Sequence, residues 1–262
     1  MRIAVVGASG RMGCAVIRIA RSQGLEVVCA IASIGVGRDV GELAGIGPIG
    51  VPVVDGLAAL ERVHADVVVD FSAPAATLAV APVVAANGIA MVSGTTGLTD
   101  DARLALDRAA EVVPVLWEPN MSVGVHVLTR LVAEAASALA DWDVEIVETH
   151  HRAKVDAPSG TALRLADAVR SARANATRLV HGREGKPGPR QTDEVGVHAL
   201  RGGDVIGDHE VHLFGGGERL ELAHRATSRE VFAHGALRAA QWIVGRAPKR
   251  YALGDVLATA IS

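Results

Sequence analysis

The first 120 residues alternate between short apolar runs and longer segments with helical periodicity. Arg2–Val6 is a β-rich run, and the pattern after it repeats at helical spacing, with one apolar face on Met12, Ala15, Val16, Ile19 and Ala20. Further strands are predicted at 26–31, 66–71, 89–93 and 113–117, and helices at 74–86 and 100–110. Because strands alternate with helices, this part is predicted to be an α/β domain with a Rossmann-like, doubly wound parallel sheet.

The pattern changes from Ser122 onward. A helix with an apolar face is predicted after Ser122, then a strand at 143–149, a helix at 161–173, an exposed, mobile loop at 182–190 and three strands at 195–200, 209–214 and 219–224. Strands that follow one another without helices indicate a second, α+β domain with a mixed, mostly antiparallel sheet. A last helix, at 231–244, can return to the first domain. The predicted domains are therefore 1–121, completed by 231–262, and 122–230.

Composition narrows the class of protein. Half of the 262 residues are hydrophobic, and the net charge of −3 argues against a nucleic-acid partner. Two cysteines indicate no disulfide framework, and therefore a reduced, cytoplasmic protein. The most apolar stretch, 75–92, is interrupted by Pro82, Asn87 and Gly88, so we expect no membrane span.

A glycine-rich turn separates the first strand from the first helix. Its residues are Gly7, Ala8, Ser9, Gly10, Arg11 and Met12, and Gly13 follows them. Glycines at such a turn let the backbone approach a pyrophosphate, which then lies at the positive end of the helix. The spacing is Gly-x-x-Gly-x-x-Gly, a variant of the commoner dinucleotide fingerprint. The turn therefore predicts a nicotinamide dinucleotide site.

The end of the second strand bears on the choice of cofactor. An acidic residue there would bind the 2′-hydroxyl of NAD, but this chain has Ala32 and Ser33. Ser33 can donate a hydrogen bond to a 2′-phosphate, and Arg38 follows nearby. NADPH or NADH is expected, with NADPH favoured. The turns 94–97 and 118–121 also follow predicted strands. For each turn, a cofactor contact and an ordinary loop without a ligand are both open.

The segment 148–161 carries the densest set of proton-transfer and anion-binding groups. His150, His151 and Lys154 precede a Pro-Ser-Gly-Thr turn that opens a helix, which suggests a bound carboxylate and a proton donor. Adjacent strand residues face opposite ways, so the two histidines are poor ligands for one metal, and no metal is expected. A nucleophilic Ser159 is disfavoured because its context is not a nucleophile elbow. A solvated loop that only caps the helix is the alternative.

This segment resembles the signature of the bacterial 4-hydroxy-tetrahydrodipicolinate reductases, formerly called dihydrodipicolinate reductases, of the diaminopimelate–lysine pathway. The matching run is Glu-Thr-His-His-Arg-Ala-Lys-Val-Asp-Ala-Pro-Ser-Gly-Thr-Ala. The resemblance extends nearly end to end, through Gly-Ala-Ser-Gly-Arg-Met-Gly, Val-Asp-Phe-Ser-Ala-Pro, Ser-Gly-Thr-Thr-Gly, Pro-Asn-Met-Ser-Val-Gly and Leu-Arg-Gly-Gly-Asp-Val-Ile-Gly-Asp-His.

The resemblance implies NAD(P)H-dependent reduction of a cyclic dicarboxylate and a role for each matching residue. His150 resembles the acid/base histidine, Lys154 the proton donor and His151 a substrate contact. The substrate carboxylate would be bound by Ser159, Gly160 and Thr161. The implied cofactor contacts are Gly7 to Met12, Gly94, Thr95, Thr96, Glu118, Pro119, Asn120 and Met121. The family also implies a homotetramer joined through the sheet of the second domain.

Two positions depart from the family pattern. Ala32 and Ser33 stand where an acidic residue, sometimes followed by arginine, is frequent, and Glu118 stands where a small residue is common. Two other functions remain open at this point. One is a different two-domain NAD(P)-dependent dehydrogenase of amino-acid metabolism, and the other is an NAD(P)-sensing protein without turnover.

Overall fold

The structure is a computed structural model, and it describes residues 1–173 and 178–258. The chain forms two compact units. Unit 1 comprises Met1–Val123 and the chain from Arg229 onward, and unit 2 comprises Gly124–Ser228. Unit 2 is therefore inserted between two segments of unit 1.

The helices and strands follow one another in a regular order. The first segment contains β1 (Arg2–Val6), α1 (Arg11–Ser22), β2 (Glu26–Ile31), α2 (Val40–Ala44), β3 (Val53–Val54), a 3-10 helix (Leu57–Arg62), β4 (Val67–Asp70), α3 (Pro74–Asn87), β5 (Ala90–Ser93), α4 (Asp100–Ala110) and β6 (Pro114–Trp117). Next come α5 (Val123–Ala138), β7 (Asp143–His150), α6 (Gly160–Ala172), β8 (Arg178–Val180), β9 (Glu194–Arg201), β10 (Gly207–Phe214) and β11 (Arg219–Ala226). The last are α7 (Glu230–Ile243), β12 (Lys249–Tyr251) and α8 (Leu253–Ala258).

Unit 1 is built on a seven-stranded sheet in the order β12-β6-β5-β4-β1-β2-β3, with every pairing parallel. Successive residues of a strand point to opposite faces of the sheet and therefore pack in different hydrophobic cores. Val5 packs in the core that includes residues of α1 and α7, whereas Ala4 and Val6 pack in the core that includes residues of α3 and α4. Strands buried on both faces are mainly apolar, which explains the three consecutive valines of β4, Val67, Val68 and Val69. The predicted doubly wound α/β fold is confirmed.

Unit 2 contains a five-stranded sheet in the order β11-β10-β7-β9-β8. β10 is antiparallel to β7 and β11, whereas β9 is parallel to β7 and β8. Alternate residues of β7, including Val144 and Ile146, share a core with Leu165 of α6 and Leu128 of α5. The predicted mixed sheet is confirmed, with more parallel pairing than expected. α6 lies between β7 and β9 in the chain and provides the crossover that parallel pairing of these two strands requires, whereas β8 and β9 are connected by a loop.

The most apolar stretch of the sequence is a helix followed by a strand, as predicted. Residues 75–92 fall in α3 and β5, and Gly88, with φ of 66°, ends the helix in the left-handed conformation. Within residues 1–173 and 178–258, no helix is both long and apolar enough to cross a bilayer.

Several short elements were not predicted, and one loop is more firmly attached than expected. The missed elements are α2, β3, the 3-10 helix, β8, β12 and α8, none longer than six residues, which is too short for a clear periodic pattern. The loop 182–190 was expected to be exposed and mobile. Arg183 and Arg190 in it instead form ion pairs with Glu145 of β7, at 2.7 and 3.1 Å. Gly and Pro content predicted the loop but could not reveal this acidic partner.

Candidate functional site

The glycine turn of unit 1 is fixed by close backbone contacts. Gly7 has φ of +78°, and a Cβ added to it would lie 2.3 Å from the carbonyl oxygen of Phe71. A Cβ on Gly13 would lie 2.2 Å from the carbonyl oxygen of Gly7. The N-cap of α1 is Gly10, which has no side chain to cap the helix, and the first turn of α1 has no acidic residue. The positive end of α1 therefore begins at a backbone cradle that only glycine permits.

A cleft of about 500 Å³ opens beside this turn, at the carboxyl ends of the strands. Gly7, Ser9 and Gly10 line it together with Ser33, so the structure brings together the predicted phosphate turn and the predicted specificity residue. Asp55, which follows β3, lines the same cleft and was not predicted. Ala8 is fully buried, and its side chain belongs to the core. Arg11 is exposed and Met12 is partly buried.

Asp70 organises the neighbouring strand ends and was missed by the sequence analysis. It is fully buried, and its carboxylate accepts hydrogen bonds from the hydroxyls of Ser72, Thr77 (2.6 Å), Ser93 (2.8 Å) and Thr95 (3.1 Å). The backbone N–H of Ser72 donates to it as well, at 3.1 Å. An aspartate at the end of a wholly apolar strand was the signal that could have revealed it. Asp70 thus fastens the turn after β4 to the turn after β5.

The other predicted cofactor residues occupy the turns after β5 and β6. A Cβ on Gly94 would lie 2.2 Å from the ring of Phe71, so glycine is required there. The remaining residues differ in exposure: Thr96 and Pro119 are exposed, Asn120 is partly buried, and Thr95, Glu118 and Met121 are buried. The side chain of Met121 belongs to the hydrophobic core, so only its backbone is placed to meet a ligand.

In unit 2, the apolar face of β7 ends in two polar residues. Val144, Ile146, Glu148 and His150 alternate on the buried face, and Glu148 is fully buried. Glu148 accepts hydrogen bonds from Nδ1 of His150 at 2.6 Å, from the backbone N–H of Ser159 at 2.9 Å and from both terminal nitrogens of Arg201 at 2.8 Å. Burial acts to raise the pKa of Glu148, but the bonds from Arg201, His150 and Ser159 outweigh it and lower that pKa. Glu148 is therefore an ionised acceptor.

A second histidine, His209 of β10, joins this group. Its ring lies edge-on to that of His150, with centroids 5.2 Å apart, and its Nε2 lies 3.2 Å from Oγ of Ser159. Burial, with a smaller electrostatic contribution from the neighbouring His150, lowers the pKa of His209 to about 4. His209 is thus neutral at neutral pH. Ser159 Oγ also accepts a bond from the N–H of Ala162 and so caps α6.

The predicted substrate residues lie around this buried group. β7 ends at His150, and His151 lies in the following turn, where its backbone N–H donates to Val205 at 2.7 Å. The Nζ of Lys154 is 2.8 and 3.0 Å from the carboxylate oxygens of Asp156. Gly160 is exposed and Thr161 is partly buried in the first turn of α6. Glu148, Arg201 and His209 are additions to the predicted set.

Among residues 1–173 and 178–258, no three His, Cys, Asp or Glu side chains are grouped so as to hold a metal ion. The groups that unit 2 brings together are suited instead to proton transfer and to binding a carboxylate at a helix N-terminus.

Comparison with known proteins gives the family. The model described as "Dihydrodipicolinate reductase, N-terminus" matches residues 1–121, and the model described as "Dihydrodipicolinate reductase, C-terminus" matches residues 124–257. The chain belongs to the dihydrodipicolinate reductase family. Its members are NAD(P)H-dependent oxidoreductases, and unit 1 contains the family's Rossmann-like nucleotide-binding domain. The family predicted from the segment 148–161 is confirmed.

Full-length relatives of this reductase family are similar to the chain. The relative from Myxococcus xanthus, named 4-hydroxy-tetrahydrodipicolinate reductase, is 48% identical, over 98% of this chain and 97% of its own. The relative of the same name from Archaeoglobus fulgidus is 49% identical, over 98% and 100%. A solved dipicolinate-bound dihydrodipicolinate reductase from Paenisporosarcina has a TM-score of 0.77 at 25% identity, over 96% of this chain and 97% of its own.

A more distant solved structure shares the fold but does not indicate the function of this chain. An amine dehydrogenase from Mycobacterium smegmatis has a TM-score of 0.61 at 15% identity, over 97% of this chain and 95% of its own. At that identity only the fold is shared, because one fold supports many reactions.

Proposed function

We propose that this protein reduces 4-hydroxy-tetrahydrodipicolinate, by way of dihydrodipicolinate, to tetrahydrodipicolinate in the diaminopimelate–lysine pathway. The observation that carries the proposal is the placement of His150 and the Ser159 turn on one buried carboxylate, that of Glu148. This arrangement unites a proton-transfer group with a carboxylate-binding helix terminus. Relatives that are 48 to 50% identical over 98% of the chain have the name of this reductase.

The glycine cradle of unit 1 fits a nicotinamide dinucleotide. A Cβ would fill the space at Gly7 and Gly13, and α1 begins there without a side-chain cap. The bound cofactor would supply the hydride. We assign its contacts to Gly7, Ala8, Ser9, Gly10, Arg11, Met12, Ser33, Gly94, Thr95, Thr96, Glu118, Pro119, Asn120 and Met121, with Ala8 and Met121 contributing backbone atoms.

His150 and Lys154 are the proposed source of the proton. An imidazolium or ammonium group beside the substrate ring delivers a proton and offsets the negative charge that develops during reduction. Nδ1 of His150 is engaged by Glu148, which leaves Nε2 as the nitrogen that acts. Lys154 pairs with Asp156, so a substrate carboxylate would compete with Asp156 for its ammonium group.

The substrate is a small dicarboxylate. One carboxylate would accept hydrogen bonds from Ser159, Gly160 and Thr161 at the start of α6, where the helix dipole favours an anion. His151, in the turn after β7, is the proposed additional substrate contact.

We propose NADPH as the preferred cofactor, since no acidic residue follows β2 and the hydroxyl of Ser33 is exposed in the cleft. Asp55 lines the same cleft, and its carboxylate acts against a 2′-phosphate. The preference for NADPH therefore depends on Ser33, with Arg38 nearby in the chain, contributing more than Asp55. Initial rates with each cofactor measure the preference, and a higher kcat/KM with NADH would reverse it.

We further propose a cytoplasmic homotetramer joined through the sheet of unit 2. β11 is an edge strand of eight residues, mostly exposed, and such an edge is suited to pairing with another copy. Multi-angle light scattering should give the mass of four 27.0-kDa chains, and the mass of one chain would reject the tetramer.

A coupled assay tests the activity itself. Purified dihydrodipicolinate synthase generates the unstable substrate, and nicotinamide absorbance reports its reduction. Oxidation of NADPH or NADH is expected only when the synthase and its substrates are all present. If neither cofactor is oxidised while both still bind, the protein is an NAD(P)-binding protein without this activity, and the proposal is wrong.

A further inference from the structure

We propose that Glu148 and Arg201 form a positioning pair, which fixes His150 in one tautomer and joins it to the carboxylate-binding turn at Ser159. This inference rests on the proposed function and deepens it. Neither residue was among the predicted site residues, and neither is assigned a contact with substrate. The pair acts through the groups that it holds.

The two oxygens of Glu148 divide their partners between the two halves of the site. Oε2 lies 2.6 Å from Nδ1 of His150, and Oε1 lies 2.9 Å from the backbone nitrogen of Ser159. One rigid carboxylate therefore sets the distance between the proposed proton donor and the start of α6. A displaced Glu148 would move both together.

Arg201 completes this unit from another strand. Residue 201 lies directly across from His150 in the parallel pairing of β7 and β9. Its two terminal nitrogens contact the two oxygens of Glu148, each at 2.8 Å, in the bidentate geometry that orients a carboxylate strongly. One of these nitrogens also donates to the backbone oxygen of Asp156 at 2.8 Å. Arg201 thus fixes the loop that connects His150 to Ser159.

The charge of Glu148 determines the tautomer of His150. The Arg201 guanidinium keeps Glu148 ionised despite its burial, and an ionised carboxylate can only accept. Nδ1 of His150 must therefore carry a hydrogen. Among the described residues, Nε2 of His150 has no hydrogen-bond partner, and a Cβ on Gly207 would lie 3.0 Å from it. Gly207 therefore keeps the space beside the acting nitrogen free of a side chain.

The groups around His150 bear on any pH profile. They are Glu148 on β7, Arg201 on β9, His209 on β10, and Lys154 with Asp156 in the loop after β7. Arg201 stays charged across the working range, and His209 stays neutral above its pKa of about 4. Glu148 is therefore the charged group in direct contact with His150, and the substitution Glu148→Gln removes that charge.

Glu148→Gln tests the pair because it keeps the shape and removes the charge. The tautomer is read from two-bond ¹H–¹⁵N spectra of protein labelled at histidine, with the His150 signal assigned by its loss in His150→Asn. We expect the Nδ1–H form in the wild type and a mixture or the Nε2–H form in Glu148→Gln. An unchanged His150 tautomer in Glu148→Gln would overturn the proposal.

Glu145→Gln is the matched control. Glu145 lies on the same strand and is also bound by arginines and a histidine, but it faces the other side of the sheet. Its loss should leave the His150 tautomer unchanged. If Glu148→Gln does not fold, Arg201→Gln provides the same reading, since Glu148 would lose its bidentate partner.

Kinetics give a second reading. Carboxylates that orient a metal-bound histidine typically contribute about 10- to 100-fold to activity, and we expect a decrease in kcat of at least this size in Glu148→Gln. KM should rise as well, since Ser159 loses its anchor, and Glu148→Asp should recover part of kcat.

The two proposals fail in different ways. A wild-type protein without reductase activity would reject the proposed function, while the tautomer experiment would still give its result. An active wild type, with Glu148→Gln equal to it in kcat, KM and pH profile, would reject the positioning pair alone.

Discussion

Two buried carboxylates, Asp70 in unit 1 and Glu148 in unit 2, occupy similar positions but have different partners. Each is fully buried at or near the carboxyl end of a strand. Asp70 is surrounded by hydroxyl groups, those of Ser72, Thr77, Ser93 and Thr95. Glu148 is bound by the guanidinium of Arg201 and the imidazole of His150.

The donors decide what each carboxylate does. Serine and threonine hydroxyl groups do not change their protonation state near neutral pH, so the bonds to Asp70 fix the shape of two loops and little else. An imidazole does exchange a proton, so the bond to Glu148 also sets which nitrogen of His150 is available. A buried carboxylate is therefore structural or mechanistic according to the groups that donate to it.

The largest expected effect is the loss of the proton donors in unit 2. His150→Ala and Lys154→Ala should each lower kcat by about 100-fold or more, within the usual range for acid–base groups. The coupled assay measures this, and cofactor binding, followed by nicotinamide fluorescence, should be unchanged. Near wild-type rates for both variants would remove His150 and Lys154 from the mechanism and end the contrast between the two units.

Asp70→Ala should act mainly on stability. Its hydroxyl donors would lose a buried acceptor, and the free energy of unfolding should fall by about 2 kcal/mol, measured by urea denaturation. Asp100→Ala is the control, because Asp100 is fully exposed and its ion pair with Arg103 is long, at 3.9 Å. A variant Asp70→Ala as stable as Asp100→Ala would show that the hydroxyl network does not fasten the loops.

Gly7→Ala should disturb the loop that Asp70 fastens. The new Cβ would meet the carbonyl of Phe71, the residue directly after Asp70, and cofactor affinity should fall about tenfold through displacement of the turn. Gly24→Ala is the matched control, since Gly24 has a similar φ of +72° with open space around it. Equal cofactor dissociation constants for the two variants would refute the proposed role of the Gly7 cradle.

The smallest expected effect is the change in stability that accompanies protonation of His209. Its folded pKa, about 4, is below the ordinary value of 6.5, so the unfolded chain binds a proton in this interval that the folded chain does not. The stability that neutral His209 contributes is therefore lost as the pH falls from 6.5 towards 4. When the pH falls from about 6 to about 5, the free energy of unfolding of the wild type should decrease by about 1 kcal/mol relative to that of His209→Gln.

Denaturation of both proteins across this range measures the difference. A stability difference that does not vary with pH would mean that His209 is accessible to protons in the folded state. Unit 2 would then have no buried neutral histidine beside Ser159, and its contrast with unit 1 would be weaker.

The residues predicted for the site in unit 2 lie in one segment of the chain, and their roles stay predictions. His150, His151, Lys154 and Ser159 lie within ten positions, so a local motif could reveal them. Arg201 and His209 are 53 and 61 positions from Glu148, and although both lie in the family run Leu-Arg-Gly-Gly-Asp-Val-Ile-Gly-Asp-His, that run does not show that they contact the segment 148–161. Glu148 itself was in view, but the pattern could not show that it was buried. Asp55 was missed for a related reason, because β3 is only two residues long.

The sequence by itself determined the main periodic elements, their order along the chain, the family and the motif that carries the proposed proton donors. These follow from local patterns of apolar residues, glycines and neighbouring polar groups, which act over a few positions. Only the tertiary structure decided which donors meet Asp70 and Glu148, and that Ser33 shares its cleft with Asp55. Those outcomes depend on the pairing of strands that are distant in the chain. This pairing brings the partners Arg201 and His150 to Glu148, and their hydrogen bonds lower its pKa although burial opposes this.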